Sequence, residues 1–79
     1  MDDDIKKIYY NYMNNKKFHV DDYKAMSKLV RDSDGIDTPL VEALHDAWKQ
    51  TETKRTCFDC MKHRFIAVLT FIAPKINGD

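Results

Sequence analysis

Apolar residues recur along the 79-residue chain at steps of three and four, with polar stretches between the runs, the pattern of amphipathic helices joined by surface turns. The strongest run spans residues 56–73. There Phe58, Met61, Phe65, Val68, Leu69 and Ile72 fall on one stripe, about 100° wide, as a core-facing helix requires. A second seam on the same helix, roughly a third of a turn away, holds Cys60, Arg64, Ala67 and Phe71. One neighbour does not cover both edges. This helix is therefore expected to touch something on two sides, and its second seam is the expected interaction surface.

The rest of the chain divides in the same way. Ile5, Ile8, Tyr9, Tyr12 and Met13 predict a first helix over residues 3–13, with Asp2, Asp3 and Asp4 against its positive end. Tyr10 lies off that stripe and joins the expected interaction set. The polar run Asn14, Asn15, Lys16, Lys17 ends the helix. A second helix is predicted over residues 20–31, with Asp21 as N-cap and Tyr23, Ala25, Met26, Leu29 and Val30 facing inward. Ser33, Asp34 and Gly35 close it, and Ile36 is expected to fold back on its end. Thr38 or Asp37 caps a third helix, Pro39–Gln50, in which Pro39 takes a position needing no backbone donor and Leu40, Val41, Leu44 and Trp48 turn inward. Residues 50–55 lack apolar periodicity and read as a loop. Thr56 is the expected N-cap of the fourth helix, Asp59 returning the hydrogen bond, and Pro74 its expected end, with a loose polar tail from residue 75. A strand over residues 65–72 is the competing reading, but it has no partner strand, and the helical phase runs on unbroken from Phe58. The expectation is a single all-α domain over residues 1–79, a small bundle of four helices.

A domain of this size has a marginal core, so partners are expected. Lysine and arginine balance aspartate and glutamate at 13 each, which removes the broad positive field of a phosphate-binding protein. Acids lead up to Gln50 and bases lead beyond it, where Lys54, Arg55, Lys62 and Arg64 make a small basic patch. The acidic start does not read as a signal peptide, and residues 65–73, bracketed by Arg64 and Pro74, are about half the length of a membrane span. A cytoplasmic protein, off the membrane, is expected. In that compartment two cysteines two residues apart read as a thiol pair or half a metal site more than as a structural disulfide.

Cys57, Cys60 and His63 form C-x-x-C-x-x-H, a set that holds zinc if His45, His19 or Asp46 supplies a fourth ligand. On a continuous helix, however, His63 is rotated roughly a third of a turn from Cys57, and no second pair completes the pattern. Cysteines packed at the core edge are the preferred reading. Thiols at a helix amino terminus also permit redox chemistry, although thioredoxin-like enzymes place the motif after a strand. A helix-turn-helix built on the second and third helices would offer the phosphate backbone Glu42, Asp46 and only Lys49. His19 and His45 stand apart from any nucleophile, the pair Asp21 and Asp22 suits helix capping, and two glycines do not build a phosphate loop. No catalytic residue is assigned. The expected function is a non-enzymatic protein-interaction or assembly module without a cofactor, acting on a protein partner or a second copy through Cys60, Arg64, Ala67, Phe71 and Tyr10. The alternative is a zinc-stabilised module, held by Cys57, Cys60 and His63, that binds protein or, through Lys54, Arg55 and Arg64, nucleic acid.

The segment from Lys54 to Phe65, with its threonine before C-x-x-C, an apolar residue after it and a basic pair, resembles the carboxy-terminal half of small helical proteins of tailed bacteriophages, crAss-like phages among them. The resemblance covers about twelve residues. It implies a virion or connector component, or a factor acting on a host protein, in the host cytoplasm or the virion, and it carries over no enzymatic activity. The apolar run after Arg64 is heavier here than in that pattern.

Overall fold

The computed structural model describes residues 1–78 and shows four helices: α1 (Asp2–Asn15), α2 (Val20–Asp32), α3 (Pro39–Gln50) and α4 (Phe58–Ile76). The all-α bundle expected from the periodicity is the fold observed, and there is no strand among the described residues. The fourth helix is the hub, because it packs against all three others and most extensively against α3. Its stripe explains this: Phe65, Val68 and Ile72 are wholly buried, and Leu69 nearly so. Ala43 and Ala47 are buried on the facing side of α3 beside Leu40, Val41 and Leu44. Their short side chains let the α3 and α4 backbones approach closely, a role the larger apolar residues had masked in the sequence.

Local chemistry sets the helix ends. Thr38 caps α3: its Oγ1 accepts the Val41 N–H (3.1 Å) and donates to Asp2 Oδ1 (2.8 Å), fastening the acidic start of α1 to the start of α3. Lys16 ends α1 in the left-handed region (φ 54°), where its N–H bonds the Tyr12 carbonyl. Gly35 supplies the same hand after α2 at φ +85°. Ile36 does not fold back and is 39% exposed, because its N–H is spent in the tight turn onto the Ser33 carbonyl. The cap of α2 is His19, not Asp21, with Asp21 and Asp22 in the first turn. Ala25 and Met13 lie outside the core. Phe18, in the connection between α1 and α2, is buried at the meeting point of Phe58 and Phe65 (ring centroids 5.4 and 5.2 Å).

Two expectations for α4 are corrected. Its N-cap is Cys57 rather than Thr56, since the Cys57 Sγ accepts the Cys60 N–H at 3.2 Å. Its end is Ile76 rather than Pro74. Pro74 has no N–H to give the Thr70 carbonyl, but it sits in the last turn, where one lost bond is all the helix forfeits. Ile76, only 8% exposed, holds that turn against the core, so the tail expected to be loose from residue 75 is helical through Ile76. Asp79 lies outside the described residues. No helix among them is long and apolar enough to cross a membrane.

Candidate functional site

The second seam of α4 starts with two residues that the fold itself uses. Arg64 is half-buried and turned toward α3. Its guanidinium carbon lies 3.6 Å from the centroid of the Trp48 ring, while Nε donates to Thr51 Oγ1 (3.3 Å), Nη1 to Tyr23 Oη (3.2 Å) and Nη2 to the Trp48 carbonyl. The Trp48 carbonyl is one of the last four of α3, which have no acceptor role inside the helix, so the cation sits on the negative end of the α3 dipole. Tyr23 closes the other flank, its ring 5.4 Å from that of Trp48. Arg64 thus ties α2, α3 and α4 together. Three of its five N–H groups are thus engaged within the chain, so Arg64, expected on the interaction seam and in a phosphate-binding trio with Lys54 and Arg55, also serves the fold. Lys54 and Arg55 themselves are exposed in the loop before α4.

Cys60 is the second seam residue the fold uses. Its sulfur is bonded to that of Cys57, with the two Cα atoms 5.1 Å apart. The expected thiol pair is therefore a disulfide here, and His63, exposed on the next turn, does not join it. Among the described residues no three histidine, cysteine, aspartate or glutamate side chains gather as a metal site. In this structure Cys57, Cys60 and His63 are arranged with the two sulfurs bonded to each other and His63 apart from them. The bond closes the first turn of α4 at its cap, and Cys57 remains exposed while Cys60 is half-buried.

The outer half of the seam stays open. Phe71 is 45% exposed and Ala67 lies in the same row one turn earlier. Because α3 and α4 run antiparallel, with Trp48 beside Arg64, the start of α3 lies beside the end of α4. A groove there is lined by Pro39, Glu42, Ala43 and Asp46 from α3 and by Phe71 and Lys75 from α4. Glu42 holds its proton above the ordinary glutamate range. Its side chain shares a hydrogen bond with Asp37 and feels the charge of Asp37, slight desolvation at an exposed position and the charge of Asp46, and only Lys75 opposes these. A second groove continues along the seam toward the start of α4, lined by Thr51, Thr53, Arg55, Cys60, His63, Arg64 and Ala67. The outer face of α3 and α4 is thus acidic around Phe71 at one end, small and flat at Ala67, and basic around Arg55 at the other. Tyr10, 47% exposed on α1 with its ring edge against Tyr9, lines neither groove.

One contact lay beyond reach of the sequence pattern. Ser33 is fully buried, and its Oγ lies 2.7 Å from Nε2 of His45 and 3.3 Å from the Val30 carbonyl. The hydroxyl proton serves either the Val30 carbonyl or His45 Nε2, according to the imidazole tautomer. The pair links the end of α2 to α3, with the Ser33 hydroxyl fully buried and His45 half-buried. No protein-family model, no curated protein and no solved structure matches this chain.

Proposed function

We propose that this protein is an assembly module that pairs with a second copy of itself, two-fold and antiparallel, along the outer face of α3 and α4. The observation that carries the reading is the polarity of that face. Its acidic end holds Phe71, Glu42 and Asp46 against the single cation Lys75, and its other end carries Arg55, with Lys54 nearby in the same exposed loop. An antiparallel two-fold contact lays the acidic end of each copy on the basic end of the other, so complementarity is satisfied twice, and Phe71 is covered twice. A parallel arrangement would set like charges against each other. The same patch serves both subunits, as an isologous interface requires. Self-pairing also suits the small virion or host-directed phage protein that the resemblance implies.

Light scattering coupled to size exclusion tests the reading. The expected mass is that of a dimer, falling to the monomer for Phe71→Asp. Asp46→Arg and Arg55→Glu each place like charges in contact and weaken the dimer, by about 1 kcal/mol per exposed pair. Mixed in equal amounts, the two variants restore opposite charges at both contacts and pair with each other. A monomer at every concentration, indifferent to Phe71→Asp, overturns the proposal, and so does a dimer unaffected by any of these changes.

A further inference from the structure

We propose that Cys57 and Cys60 are a redox-active pair that exchanges with disulfides of peptides or small thiols. This goes beyond the assembly reading: Cys57 lines neither groove of the pairing face, and Cys60 lines the basic one. The two sulfurs are within bonding reach at the exposed start of the longest helix, and they differ in surroundings. Cys57 is exposed and occupies the N-cap, where its Sγ accepts the Cys60 N–H at 3.2 Å. A thiolate in that position receives both a backbone hydrogen bond and the positive end of the α4 dipole, which favour the charged form. Lys54, Arg55, Lys62 and His63 lie within six residues of the pair, against Asp59 in the first turn of α4 and Glu52 in the preceding loop. Cys60 is half-buried inside the first turn. The asymmetry assigns Cys57 as the attacking sulfur and Cys60 as the resolving one. Phe58, between them in sequence, is 52% exposed with one ring edge against Phe18, an apolar rest for the chain carrying the substrate disulfide. These effects belong to a helix end and need no preceding strand.

Exchange begins from the reduced pair. The Cys57 thiolate attacks one sulfur of the substrate disulfide, forming a mixed disulfide as the substrate S–S bond breaks, and the departing thiolate takes a proton from water. Cys60 then gives up its proton to solvent and attacks Cys57 Sγ, forming the Cys57–Cys60 bond and expelling the second substrate sulfur, which is protonated in turn. Two electrons pass from the pair to the substrate, and the reverse sequence oxidises a dithiol.

The full-length protein, reduced with a phosphine that is then removed, is mixed with oxidised glutathione and followed by mass spectrometry. The wild type is expected to return to the internal disulfide with release of two glutathione thiols, whereas Cys60→Ser stops at a glutathione adduct on Cys57. Iodoacetamide at pH 7 is expected to modify Cys57 in Cys60→Ser at least about tenfold faster than Cys60 in Cys57→Ser, with a pH inflection below the ordinary thiol value of about 8.5. Serine is itself a good N-cap, so Cys57→Ser keeps the start of α4, and circular dichroism checks each variant. If Cys60→Ser does not fold, peptide mapping of the partly alkylated, reduced wild type gives the same comparison. Equal rates with an ordinary inflection, an adduct on Cys60 in preference to Cys57, or a wild type that fails to re-form its disulfide with glutathione overturns the proposal.

Discussion

Arg64 reaches α2, α3 and the residue that follows α3 from a single position on α4. Its planar fork meets Thr51 Oγ1, Tyr23 Oη and the Trp48 carbonyl at once, and its flat face covers the Trp48 ring. Lysine has one compact charge and cannot reproduce that set. Arg64→Ala is expected to lower stability in urea by about 2 kcal/mol, a charged hydrogen bond and a cation–π contact discounted for partial exposure. Arg64→Lys should recover less than half of that. Trp48 is the only tryptophan, so its fluorescence reports the site directly, and an unchanged emission with unchanged stability would remove the clamp assignment. Lys16 shows the opposite case, a residue held where its side chain costs stability. At φ 54° it occupies a conformation suited to glycine, and an L-residue there carries a penalty of about 1–2 kcal/mol. Part of that returns as the glycine loses more freedom on folding, so Lys16→Gly is expected to stabilise by about 0.5–1 kcal/mol and raise Tm by a few degrees in a calorimetric scan.

Helix α4 separates what a sequence displays from what it withholds. The buried stripe Phe65, Val68, Leu69 and Ile72 was legible because period and hydrophobicity agree at each position. The third helix was legible to its ends, since Thr38 and Pro39 form a start signal with one geometric meaning. The inward contacts of Arg64 were not legible, because helical phase says which way a side chain leaves the backbone and not whether an aromatic ring and a helix-end carbonyl lie within its reach. Phe18 and the Ser33–His45 link were hidden for a related reason: both depend on elements distant in sequence meeting. Cys57 and Cys60 offered several chemistries at one spacing, and the bond between them belongs to a geometry that spacing alone does not give. Pro74 was read as a stop, yet the helix outlasts it because Ile76 still has a place in the core. Ile76→Ala is therefore expected to cost about 2 kcal/mol, the low end for a buried aliphatic truncation, in keeping with a site at the rim of the core. Hydrogen exchange should show the Asn77 amide, bonded to the Ala73 carbonyl at 2.9 Å, protected in the wild type and lost first in the variant. An Asn77 amide that exchanges at the random-coil rate in the wild type would mean the last turn frays.

For the whole molecule, the acidic end of the α3–α4 face is expected to couple folding and the proposed pairing to pH with opposite signs. Glu42 binds its proton more tightly in the folded chain than in the unfolded one, because of the hydrogen bond and charge of Asp37, its desolvation and the charge of Asp46, with Lys75 opposing. A raised carboxylate pKa adds stability that is complete below the ordinary glutamate range and is lost as pH rises through the folded value. Acidification through that window therefore favours the folded monomer at this residue. Pairing responds in reverse. In the proposed antiparallel dimer the basic end of the partner would approach Glu42 and favour its charged form, so dimer formation would release the proton and acid would drive the copies apart. Sedimentation at fixed protein concentration should show the dimer weakening as pH falls from neutral toward about 4.5, the region where glutamates titrate, and weakening with added salt at neutral pH. Glu42→Gln removes the titrating charge: the dimer should be weaker at neutral pH, and the part of its pH dependence due to this residue should vanish, while the folded monomer gains slightly at neutral pH. If acid strengthens the dimer, or if Glu42→Gln leaves both its affinity and its pH profile untouched, the acidic end of α3 is not part of the contact.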